Sequence, residues 1–250
     1  MVMNIGLTGL KAANTHLEVV SQNVANVSTT GFKSGRAEFG DLVDSNAAGI
    51  HPGLGVRTQN VDQEFLQGSP EMTGNALDLA INGNGFFIVK DASGTSYTRA
   101  GNFQVDKEGF IVTNLGQRVQ DKTGAADLQL SGTGPWTDIN IDKNGNLTAF
   151  DSTGAATTPL QVGMANFPNV DGLKRVGDTQ WAATPEAGTV INSTPGSGGM
   201  GLVSSGMLEA SNVDITEQLV DMIVAQRDFQ ANAQTITAGN NMVQTIINIR

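Results

Sequence analysis

Two apolar stripes with helical spacing, one near each end of the chain, constrain this sequence more than anything between them. Met3, Leu10, Leu17, Val20, Val24 and Val27 recur at spacings of three and four, with Ala13 in step and Gly6 in the remaining slot. Leu7 widens the stripe. That spacing is the period of a helix seam. Lys11, Asn14, Glu18, Gln22 and Asn26 fall on the other face. Ser28-Thr29-Thr30-Gly31 ends the segment, and Gly31 suits the left-handed position after a helix. Towards the other end, Asp214-Ile215-Thr216-Glu217 is a capping-box pattern with Asp214 as N-cap. Ile215, Leu219, Met222, Phe229, Ala233, Ile236, Val243 and Ile247 then form a second stripe, interrupted by Gln226 and Asn240. A helix from Ile215 to Ile249 spans about 50 Å. Gly239-Asn240-Asn241 is where it is expected to bend or fray.

The middle is different in kind. From Leu77 to Phe150, short alternating segments are separated by turn-forming groups: Asn82-Gly83-Asn84-Gly85, Asp91 to Gly94, Asp106 to Gly109 and Asp142 to Asn146. Strands at this spacing imply antiparallel β structure. A further β-like stretch runs from Leu160 to Trp181, and Gly188 to Gly206 is rich in Gly, Ser and Thr. The expected class is α+β: long N- and C-terminal helices forming a coiled-coil-like pair, with a central antiparallel β-rich domain. The expected parts are a helix over 1–30, an extended connector over 31–76, the β domain over 77–187, an irregular connector over 188–213 and a helix over 214–250.

Two readings of the terminal seams stay open. They close on each other within one chain, or other copies complete them. A long helix with a polar-interrupted seam is marginal alone in water, so under the second reading the ends order on assembly. The seam residues expected to form the interface are Leu10, Leu17, Val20 and Val24 on the first helix. On the second they are Leu219, Met222, Phe229, Ile236 and Val243.

Composition removes several functional classes. Lys plus Arg number 14 and Asp plus Glu 24, a formal charge of −10. That argues against a nucleic-acid partner, which needs a basic footprint, and against an anionic membrane surface. No run of about 18 apolar residues is present, so no membrane insertion is expected. Met1 to Lys11 lacks a basic segment ahead of an apolar one, so no Sec signal is expected. With 0 Cys there is no disulfide, thiolate nucleophile or Cys-based zinc site.

The same residues carry little chemistry. His16 and His51 are the 2 histidines, and no H-x-x-x-H pattern joins them. Gly196 to Gly201 matches G-x-G-x-x-G, but Asn192 to Pro195 precedes it in place of a strand, and no helical period follows. Asp142-Lys-Asn-Gly-Asn146 has its Gly too early for a calcium loop and reads as a hairpin turn. No catalytic, cofactor-binding or metal-binding residue is assigned, and no cofactor is expected.

Asn23-Val-Ala-Asn-Val-Ser-Thr-Thr-Gly-Phe-Lys33 resembles the N-terminal signature of bacterial flagellar rod and hook proteins. Leu208-Glu-Ala-Ser-Asn-Val-Asp214, leading into Glu217 to Arg227, is similar to the C-terminal signature of the same group. Asn82-Gly-Asn-Gly-Phe-Phe87 and Tyr97-Thr-Arg-Ala-Gly-Asn-Phe103 resemble its internal motifs. The positions carrying the resemblance are Asn23, Asn26, Gly31, Phe32, Ser211, Asn212, Gln226 and Arg227. Within the group, Val162 to Leu173, Trp181 to Gly188 and Ala225 to Ile236 resemble the hook protein. The length of 250 residues is that of a rod protein and leaves little room for the extra outer β domain usual in hooks.

The resemblance implies a structural subunit that assembles helically with itself into a tube, with the terminal helices as the inner layer, and that transmits motor torque. It implies neighbours among the rod, hook–filament junction and hook-cap proteins. It also implies export through the flagellar type III apparatus without a cleavable signal, to the hook or the periplasm-spanning basal body. A different class of reading, a monomeric β-rich binding module, would pair the terminal helices internally.

Overall fold

The computed structural model describes residues 2–43, 53–92, 94–132, 134–152 and 154–248. His51 lies outside them. The chain divides into two units. The first comprises Met1–Val27, Ser34–Glu64 and Val213–Arg250, and the second Ser28–Lys33 and Phe65–Asn212.

The first unit holds helix α1 (Val2–Ala25), strands β1 (Gly35–Val43) and β2 (Gly53–Gln63), and helix α2 (Ile215–Asn248). Asp214 begins α2 as its N-cap: Oδ1 accepts from the backbone N–H of Thr216 at 2.7 Å and of Glu217 at 3.3 Å. These bonds satisfy donors that a helix start leaves open.

The two helices pack side by side within the chain. They meet at small residues. A Cβ on Gly6 would stand 2.9 Å from Ile236 Cγ1, and one on Gly9 would stand 2.5 Å from Asn232 Oδ1. The expected bend at Gly239 is absent. α2 runs unbroken through it, because the missing side chain is where Met3 packs, 3.4 Å from the Cβ position.

β1 and β2 form a two-stranded antiparallel ribbon, from Gly35 opposite Gln63 to Val43 opposite Gly53. The ribbon lies on α1. Thr8 Oγ1 accepts from the Val56 N–H at 3.3 Å, and the His16 and Phe39 rings meet edge-on at 6.2 Å. This ribbon occupies much of 31–76, where a connector was expected. Its pairing slips at Glu38/Phe39 and Leu42/Val43, so no clean alternation marks it in the sequence.

The second unit is antiparallel β throughout its ladders. Its central strand, Phe86–Asp91, pairs with 94–98, 118–119 and 164–166. That strand is buried on both faces. Phe87 and Val89 enter one core with Ile81, Leu147 and Met164, while Phe86 and Ile88 enter another with Tyr97, Phe167 and Trp181. A strand covered on both sides reads as a continuous apolar run, which is why Phe86-Phe-Ile-Val89 does not alternate.

The Gly- and Ser-rich stretch over 188–213, expected as an irregular connector, contains strands 191–193, 202–205 and 207–209. They pair with 164–166, 79–82 and 70–72. Each partner is distant in sequence, so the pairing leaves no local signal. The turns expected after Asp106 and Asp142 are formed. Gly109 N–H donates to Asp106 O at 2.9 Å and Gly145 N–H to Asp142 O at 2.8 Å, both glycines at positive φ.

Candidate functional site

Each unit contains a polar knot built from residues in the motifs named above. In the first unit it is Asn23, 3 % exposed near the end of α1. Its Nδ2 donates to the Gly35 carbonyl at 2.9 Å, and the Gly35 N–H donates back to Oδ1 at 2.9 Å. The side-chain amide thus pairs with the first residue of β1 as another strand would. Nδ2 also donates to Gln218 Oε1 on α2 at 2.9 Å. One amide therefore ties three elements that share no local sequence. Asn26 has a smaller, local role. Its Nδ2 donates to the Gln22 carbonyl at 2.9 Å, satisfying an acceptor left open by the last turn of α1.

In the second unit the knot is ionic. Gly31, at φ +68°, donates its N–H to the Glu209 carbonyl at 2.8 Å. A side chain there would collide with the backbone of Ala100, 2.6 Å from its nitrogen. Phe32 is buried beneath the guanidinium of Arg175, 5.1 Å from the ring centroid. Lys33 follows, with its side chain 0 % exposed and Nζ 2.6 Å from Glu209 Oε1. Nζ also donates to the Leu66 carbonyl at 2.5 Å. Glu209 Oε1 accepts from the Gly68 N–H at 3.0 Å, and Oε2 from Arg99 Nη1 at 3.2 Å. Arg99 Nη2 donates to the Gly83 carbonyl at 2.9 Å.

Two cations and one anion are therefore buried together. Burial lowers the pKa of Lys33 and of Arg99, and the Glu209 carboxylate opposes the shift in each case. Such a cluster specifies pairing more than it stabilises. All three residues stand inside motifs visible in the sequence, but nothing there connects them, since connecting residues 33, 99 and 209 requires the fold. The available signal is that three charges stand inside these motifs in a chain only 15 % charged.

The expected seam residues divide. Val20 is buried, and Leu10, Leu17 and Val24 are half-buried on α1. On α2, Met222 and Ile236 are half-buried, whereas Leu219, Phe229 and Val243 are 47 %, 36 % and 47 % exposed. The face of α2 turned inward carries Gln218, Ala225, Asn232, Ile236 and Gly239 instead. Leu219, Val220, Ile223 and Val224, each 44–56 % exposed, form an apolar patch on its outer side. A helix apolar on all sides belongs in a buried setting, so the first turns of α2 have one face more than a single chain covers.

Ser211 and Asn212 are half-buried ahead of α2, while Gln226 and Arg227 are exposed on it. His16 borders a hollow of about 250 Å³ with Phe39, Val56, Asp228 and Asn232. Among the described residues no group of His, Asp and Glu is placed to hold a metal ion, and no helix is long and apolar enough to cross a membrane.

Interlocked termini, a β unit tied across its length, and an uncovered helix face define an assembly subunit. Three family models match the chain. Residues 3–33 match the flagella basal body rod protein model, residues 80–157 the flagellar hook protein FlgE/F/G D1 domain, and residues 204–249 the C-terminal model of the flagellar basal body rod FlgEFG proteins. Lys33, Arg99 and Glu209 fall one in each matched segment. The chain is 35 % identical to the flagellar basal-body rod protein FlgG of Bacillus subtilis, over 98 % of this chain and 97 % of that one. It is 37 % identical to FlgG of Agrobacterium fabrum, over 97 % and 96 %. With the flagellar hook protein FlgE of Salmonella typhimurium it is 26 % identical over 407 aligned positions, covering all of both chains. The chain belongs to the flagellar rod and hook protein family and is a structural subunit of the flagellar axis.

Proposed function

We propose that the chain is a rod-type subunit of the flagellar drive shaft. The observation that carries this reading is the end-to-end match to FlgG rod proteins. Alignment with the hook protein spreads over 407 positions, more than a third of which have no counterpart in a chain of 250 residues. In this reading α1 and α2 form the inner layer of a helical tube. The outer patch of α2 is covered by other copies, the seam residues bear the shear of rotation, and torque passes through packed helices with no catalytic group. Neighbouring axial proteins, including the hook–filament junction and hook-cap components, adjoin the polymer, and the chain leaves the cytoplasm through the flagellar type III apparatus without a cleavable signal.

A hook subunit is the second reading, supported by the hook-like segments Val162 to Leu173 and Trp181 to Gly188. An epitope tag probed with antibody on living cells separates the two. A rod subunit is labelled only after the outer membrane is stripped. Labelling of intact cells at the filament base would make the hook reading the correct one.

A further inference from the structure

α2 carries a second uncovered apolar surface at its far end. Beyond Gly239, which packs on Met3, Val243 and Ile246 continue the inward-facing stripe at spacings of four and three. Met242, Val243, Ile246 and Ile247 are 63 %, 47 %, 69 % and 66 % exposed. The outward face between the two patches is polar, with Gln226, Arg227, Gln230 and Gln234 exposed. Each patch is two rows of residues four apart: Leu219 with Ile223 and Val220 with Val224, then Met242 with Ile246 and Val243 with Ile247. Rows at this spacing interdigitate when helices pack.

We propose that α2 docks head to tail on a second copy of this chain, the Met242–Ile247 end of one molecule seating on the Leu219–Val224 patch of the next. The proposal rests on the axial-subunit reading and names the contact that propagates it. Charge selects this pairing. The Leu219–Val224 patch is flanked by Asp214, Glu217 and Asp221, so two such patches set against each other would oppose like charges. From Phe229 to Asn248 the helix has no ionisable side chain, so this end meets the acidic rim without repulsion. A contact between two different patches also leaves each molecule with one of each free, which extends a polymer where a self-complementary contact would close a dimer.

Cysteine is absent from the chain, so introduced thiols are unambiguous. Ile223 and Ile247 are about 36 Å apart along α2 at roughly 1.5 Å per residue. A disulfide needs Cα atoms within about 7 Å, so any bridge between these positions joins two molecules. Ile223→Cys and Ile247→Cys chains are expressed together in place of the native chain, and axial structures are isolated and oxidised. The expected result is a dimer containing one of each variant, none from either variant alone, and a ladder from the chain carrying both. Dimers from Ile247→Cys alone, or no dimers from axial structures that contain the chain, would overturn the docking while leaving the axial reading intact. Absence of the chain from axial structures, with the native chain absent too, would overturn both. Val220→Cys with Val243→Cys repeats the test if the first pair disturbs assembly.

Discussion

Lys33 Nζ lies 2.6 Å from Glu209 Oε1, with both side chains buried and 176 positions between them in the sequence. Arg99 completes the cluster from the opposite side of the carboxylate, 3.2 Å from Oε2. Because Glu209 is the one anion between two cations, the three residues are not equivalent.

Glu209→Gln leaves two buried cations without a counter-ion. Loss of one partner of a buried pair costs about 3–5 kcal/mol, and the second unit should lose roughly that much. Lys33→Met leaves Arg99 and Glu209 as a neutral pair and should cost distinctly less. Both tryptophans, Trp136 and Trp181, lie in this unit, so urea denaturation followed by their fluorescence reads the difference. Equal losses would contradict the assignment of Glu209 as the hub.

The pH dependence follows from the burial of Lys33, which holds its folded pKa below the ordinary lysine value. Below the folded pKa both states carry the charge and the folded chain bears the full burial cost. Between the folded and ordinary values the folded chain has lost a proton that the unfolded chain retains, so the contribution of Lys33 becomes more favourable as pH rises through that window. The urea midpoint of the native chain relative to Lys33→Met should therefore increase from neutral to alkaline pH. A constant difference would contradict it.

Gly31 combines a positive φ of 68° with a Cβ direction blocked by Ala100. The left-handed conformation alone costs an ordinary residue about 1–2 kcal/mol, and the collision adds to it. Gly31→Val should lower the urea midpoint of the second unit by at least that much, and an unchanged midpoint would contradict the strain.

Local signals account for the parts of this structure that were legible in advance. Asp214 starts α2 because a side-chain acceptor is needed there, and Gly109 and Gly145 sit where their turns demand positive φ. What was hidden depends on distant pairing. The β1–β2 ribbon slips in register, and strand 202–205 finds 79–82 more than a hundred residues back. The inward face of α2 was obscured for another reason. Its first turns are apolar all round, while the stripe that meets α1 is Gln218, Ala225, Asn232 and Gly239, chosen for close approach to Gly6 and Gly9 and not for hydrophobicity. Asn23 stood inside a recognisable motif, but its reach to Gly35 and Gln218 became visible only with the helices in place.

The central claim is that the outer apolar face of α2 is completed by other molecules of the flagellar axis, and Leu219→Asp tests it most directly. Leu219 is 47 % exposed in the single chain, and surface changes of this kind shift stability by only about 0.5 kcal/mol. An aspartate near the start of a helix also suits the helix dipole. Buried unpaired in a polymer, the same charge costs several kcal/mol. Incorporation into isolated basal bodies, measured beside tryptophan fluorescence of the purified variant, should show a folded chain that no longer enters the axis. Normal incorporation of Leu219→Asp would contradict the account.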